Sequence, residues 1–264
     1  DRCGSGSMGG GQVSNPILVN DELIVYAGST LYRVNKDTGE TIKTGKMAGS
    51  SSFSINGPTY ADGMIFVALA KGVVQAFDAD SLESLWIYHD PLKGQPNCPI
   101  TVSNGYAYTG FWNNETGDAS FVCIPIADER PTASNEEKYA AWRHVQAGGF
   151  YWAGACVQNG VLLVGTDDGQ NLTSPVLSTG RVLLFDAATG ALLDEVGGIR
   201  GDVRSTICYD SGSNAYYATS KGGEFIRIKL DATGRKINQS RHEHLDARRL
   251  QWAGLCRRLR QQPI

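Results

Sequence analysis

Apolar and polar positions alternate along most of this chain in short bursts, each cut off by Gly, Asn or Asp. Met64 to Leu69 (MIFVAL), Val73 to Asp78 (VVQAFD) and Ser84 to His89 (SLWIYH) form one such series. A period of two between turn residues predicts β-strands joined by tight reversals. Helical spacing is sustained nowhere, and only Asn135 to Ala141 suggests a helical turn.

Lined up against itself, the chain repeats. NPILVNDELIVYAGSTLYRVNKDTGE starts at Asn15, NGPTYADGMIFVALAKGVVQAFDADSLE at Asn56 and NCPITVSNGYAYTGFWN at Asn97, each offset by 41 residues. A fourth unit, AGACVQNGVLLVGTDDG, starts at Ala153, and a fifth, RSTICYDSGSNAYYATSKGGEFIRIKLDATG, at Arg204. Each unit reads as four short antiparallel strands in roughly 40 to 50 residues, the signature of a β-propeller blade. The expected fold is therefore all-β: a propeller with blades near 15–55, 56–96, 97–150, 151–200 and 201–240. With 32 glycines the chain has the turn residues that such frequent reversal needs.

One turn carries a more specific pattern. Asp186, Thr189 and Gly190 in FDAATG, Thr38 and Gly39 in NKDTG, and LDATG in the fifth unit sit between the third and fourth strands. Asp78 precedes Trp86 by eight residues, and Trp142 holds the tryptophan place in the third unit. This Asp, Thr-Gly, Trp arrangement resembles the quinoprotein-like repeat of the pyrroloquinoline-quinone type. Physically these are fold devices: Asp and Thr cap the turn, Gly takes the left-handed position and Trp wedges between blades. The resemblance implies a ring of about seven or eight blades, so five copies leave the ring incomplete and its blade edges open to self-association.

The ends depart from the pattern. Residues 1–12, DRCGSGSMGGGQ, read as a linker, a cloning remnant or a broken blade end, and lack the apolar centre of a secretion signal. Residues 241–264 concentrate Arg, Leu and Gln. They read either as a basic amphipathic helix or, preferred here, as a shifted reading frame, since Arg249 to Pro263 read one base later can spell VYNGRAYVGVCGNNP, another blade strand.

Charge and motifs exclude more than they assign. A net charge of −3 offers no field for nucleic acid or an anionic membrane, and no apolar run is long enough to span a bilayer. Six cysteines without a C-x-x-C pair provide neither a zinc site nor a disulfide framework, and no adjacent cysteine pair is present. The lone G-x-G-x-x-G at Gly4, Gly6 and Gly9 has neither a strand before it nor a helix after it. No hydrolase, P-loop or EF-hand spacing occurs.

The resemblance implies that some relatives are alcohol or sugar dehydrogenases holding quinone and calcium at the ring centre, while others are binding propellers such as the outer-membrane assembly lipoprotein. No quinone or calcium ligand set can be aligned onto this sequence, so no cofactor and no catalytic residue is expected. The calcium candidates are Asp167, Asp168 and Asn171 in GTDDGQN. Two aromatic stretches, GFWNNETG and GGFYWAG, supply ligand-binding candidates: Phe111, Trp112, Asn113, Asn114, Tyr151 and Trp152. The expectation is a non-enzymatic binding or scaffolding module, extracellular, at a bacterial surface or in the periplasm, taking a protein, peptide or glycan on one face. A quinone-dependent dehydrogenase and a structural spacer are the alternatives.

Overall fold

A computed structural model describes residues 13–51, 57–170 and 179–244. The opening segment, Asn171 and residues 245–264, including the frame-shift reading, lie outside the described residues.

Blade I holds β1 (Ile17–Val19), β2 (Glu22–Ala27), β3 (Thr30–Asn35) and β4 (Thr41–Lys46); blade II holds β5 (Thr59–Ala61), β6 (Met64–Leu69), β7 (Val73–Asp78) and β8 (Ser84–His89). Blade III is β9 (Thr101–Ser103), β10 (Tyr106–Gly110) and β11 (Asp118–Pro125), then, after an intervening β12 (Glu136–Lys138), β13 (Trp142–Ala147). Blade IV holds β14 (Cys156–Gln158), β15 (Val161–Gly165), β16 (Thr179–Asp186) and β17 (Leu192–Arg200); blade V holds β18 (Cys208–Asp210), β19 (Ala215–Thr219), β20 (Glu224–Leu230) and β21 (Ile237–His244). Within each blade the four strands pair antiparallel in chain order, and the first strands meet in series from β1 through β5, β9 and β14 to β18. Among the described residues the arc stays open between blades V and I.

Two details differ from the sequence expectation. Asn135 to Ala141 holds no helical turn: Glu136–Lys138 pairs parallel with Trp86–Tyr88, adding a fifth strand to the outer edge of blade II. Glu136 and Lys138 are both buried and bonded to each other, 3.3 Å apart, which allows charged residues to serve in an edge strand. The last strand of blade V runs to His244, four residues beyond 240, where the repeat fades from the sequence.

Four apolar clusters hold the arc together, one at each blade interface. The repeat tryptophans act in equivalent ways: Trp86 Nε1 donates to the Ile126 carbonyl at 3.0 Å, and Trp142 Nε1 to the Ala187 carbonyl at 2.9 Å. Each indole thus enters the next blade just after its third strand. Asp186 Oδ1 accepts from the amides of Ala188 and Thr189 and from the Thr189 hydroxyl, while Asp78 Oδ1 accepts from the amides of Asp80 and Ser81. Gly190 (φ 71°) packs against the Trp142 ring so closely that a Cβ there would overlap it. Leu82 (φ 53°) occupies the same turn position in blade II, and there Gly45 of blade I makes the room. Near the axis the blades are clasped by Thr59 Oγ1, which donates to Ile100 O, and by Thr101 Oγ1, which donates to Ala155 O, both at 3.0 Å.

Candidate functional site

Because every blade runs up and down four times, the turns between second and third strands and the links from one blade to the next share one face of the arc. That face collects Phe111 to Gly117 from blade III, Gly148 to Ala155 from the following link, Asp167 to Gln170 from blade IV, Gly201 to Ile207 from the next link and Lys221 from blade V. The aromatic candidates meet there. The Tyr151 ring lies 4.7 Å from Trp112 and 4.3 Å from Trp152, and the Arg204 guanidinium caps it at 4.5 Å. Trp152 is 40% exposed and sits at φ 60°, a conformation costly for a bulky residue.

Beneath this shelf is an ionic cluster. Arg204 donates to both oxygens of Asp167, at 2.9 and 2.5 Å, and its Nη2 lies 3.0 Å from Asp202 and 3.3 Å from Glu115. Asp167 and Asp202 are buried, whereas Arg204 keeps some exposure. Burial therefore costs the carboxylate more than the guanidinium: it pushes the Asp167 carboxyl up to about 7, against the pull of Arg204, while the three carboxylates hold Arg204 charged. Asp168 offers its amide to Asp202 at 3.3 Å and accepts from Gln170 N at 2.9 Å. Its second oxygen is buried without a partner among the described residues, as is Trp112 Nε1.

The candidates thus separate. Trp112, Tyr151 and Trp152 form one surface. Phe111 lies apart from them, fully buried in the core between blades II and III. Asn113 Nδ2 donates to Asp118 O in its own hairpin and to Leu92 O in the link from blade II, and Asn114 Oδ1 caps the turn at Thr116 and Gly117. Asp167 and Asp168 are adjacent in sequence but turn to different partners. Glu115, Asp202 and Arg204 escaped the sequence reading because they join Asp167 only across long separations; the single hint was that Glu115 lies inside GFWNNETG.

Residues 5–235 match the family described as outer membrane protein assembly factor BamB. The chain belongs to this family. Among solved structures, this BamB-family arc is similar to quinohemoprotein alcohol dehydrogenase from Comamonas testosteroni (TM-score 0.62, 14% identity, 86% of this chain and 42% of that one). It is also similar to BamB from Moraxella catarrhalis (TM-score 0.54, 12% identity, 86% and 61%) and to a chain of the mitotic checkpoint complex (TM-score 0.59, 11% identity, 89% and 66%). At these identities the likeness establishes the propeller fold. The chain spans less than two thirds of the length of each of the three. No curated protein matches it by sequence.

The dehydrogenase likeness raises the question of whether this face fits calcium and a quinone. Glu115, Asp167 and Asp202 bring carboxylate oxygens within 4.8 Å of one another, a plausible start for a hard cation. However, Arg204 already places its guanidinium among them, and both Asp167 oxygens are spent on it. The residues of this cluster do not fit a calcium ion.

Proposed function

We propose that this BamB-family arc is a binding module of the bacterial cell envelope that takes an extended segment of a partner protein across its loop face. The observation that carries the reading is the Trp112, Tyr151, Trp152 and Arg204 stack, in which an exposed indole is held in a strained backbone conformation by its neighbours. Rigid aromatic surface over a buried charge network is what recognition sites use, since little side-chain entropy is lost on contact. The fold-level likeness to BamB and to a checkpoint-complex propeller supports a protein partner. Among the described residues no helix is long and apolar enough to cross a membrane.

The test is an array carrying both peptides and glycans, probed with the purified chain. Saturable peptide binding that weakens at least tenfold in Trp152→Ala and Trp112→Ala supports the reading. Binding to glycans alone, or peptide binding indifferent to both substitutions, counts against it. Dye-linked oxidation of alcohols or sugars in the presence of added quinone and calcium would overturn it in favour of an enzyme.

A further inference from the structure

Eleven residues other than glycine adopt positive φ among those described, and seven of them are Asn or Asp, the types that tolerate it. The exceptions are Lys71, Leu82, Lys93 and Trp152. Leu82 is explained by packing, since it fills the space left by Gly45, and Trp152 belongs to the aromatic shelf. The two lysines remain, and both lie on the loop face, Lys71 in the β6–β7 turn of blade II and Lys93 in the link from blade II to blade III, on the blade I side of the aromatic shelf.

Lys71 and Lys93 line the same pocket of about 500 Å³, together with His89, Asp90, Val73 and the Ala48 to Ser50 backbone. The remaining acid is already committed: Asp90 is buried, one oxygen accepting from the Tyr88 hydroxyl at 3.2 Å and the other from Leu92 N at 3.0 Å. Neither lysine forms an ion pair with a described residue, unlike Lys36, Lys138 and Lys221. A tight turn normally uses Asn or Gly at such positions, so lysine gives up local stability to place an ammonium group there. Gly72 closes the turn beneath: a Cβ on it would overlap Asp90.

We propose that this pocket binds an anionic group, a carboxylate or a phosphate monoester, with Lys71 and Lys93 as its charge donors and His89 as a further hydrogen-bonding group. The proposal deepens the binding reading above by giving the loop face a cationic pocket beside the aromatic, acid-backed shelf, since the link that carries Lys93 is bonded to the Trp112 loop through Leu92 and Gln95. A partner would then offer an anion and an apolar or cationic stretch at a fixed separation.

Calorimetric titration of the whole chain with inorganic phosphate and, separately, with a glutamate-rich hexapeptide tests this. Lys71→Asn and Lys93→Asn are suitable variants because Asn keeps the left-handed turn and removes only the charge. Saturation by at least one probe is expected, weakened about tenfold or more in each variant and lost in the double variant, with the melting midpoint unchanged or raised. Phosphate binding alone points to a phosphorylated partner, and peptide binding alone to acidic side chains. Failure of both probes to saturate, or equal binding by the wild-type chain and the double variant, overturns the proposal. Trp152→Ala should leave phosphate binding intact, so loss of the aromatic site and loss of the pocket are read separately.

Discussion

At Arg204, one guanidinium answers two buried carboxylates and a third, partly exposed one. Replacing it with Met leaves Asp167 buried without its counter-charge and Asp202 paired with Lys221, and urea unfolding should show a loss of about 3–5 kcal/mol; adding Asp167→Asn should recover part of it. The same carboxyl gives the chain a pH signature. The folded value of Asp167, about 7, stands above the ordinary carboxylate value of about 3.9, so the folded state binds more protons between the two. Its contribution to stability is therefore full below about pH 4 and is lost as pH rises through 7. Thermal midpoints measured across that window should fall less steeply in Asp167→Asn than in wild type. His144 works in the opposite sense: burial between Phe150 and Phe185 lowers its value, so its contribution is lost as pH falls through and below its ordinary value of about 6.5. His144→Gln should flatten the acid side and leave the Asp167 slope in place.

The strands show how much was legible beforehand. Blades II to IV are covered on both faces, so their central strands read as nearly unbroken apolar runs, MIFVAL and VLLVG, and such runs announce the repeat plainly. Blade V has one open face, and EFIRIKL alternates accordingly, with Ile226 and Ile228 inward and Arg227 and Lys229 turned away. The turn residues were legible because their function is local: Asp186 needs only the next three residues to cap its turn. Glu136–Lys138 was not legible as a strand, because three polar residues become one only by pairing with Trp86–Tyr88, fifty residues earlier in the chain. The Arg204 cluster was hidden for the same reason. Two measurements belong at this scale. Trp142→Ala should cost about 3–5 kcal/mol in guanidinium unfolding, since it removes a buried indole and its bond to Ala187. Replacing residues 127–139 with a short glycine-rich turn should bare the edge of β8, and sedimentation should then show higher-order association.

As a whole, the molecule is an arc whose two ends differ. Leu18 is 62% exposed on the outward face of blade I, beside the half-buried Leu23, Val25, Tyr32 and Val34, whereas blade V presents Tyr217, Phe225, Arg227 and Lys229. The apolar end should drive concentration-dependent self-association, and Val25→Lys should reduce it in sedimentation velocity runs without shifting the melting midpoint by more than a few degrees. The interfaces between these ends have a consequence for how the chain arose. Where Trp142 projects, the facing blade supplies Gly190; where Leu82 projects, the facing blade supplies Gly45. Shuffling the blades would set Trp142 against Leu82 and leave the two glycines facing empty space. Copies that began alike have become keyed parts, so substitutions that must compensate each other lie in successive repeats rather than within one, and the order of the blades is itself inherited information.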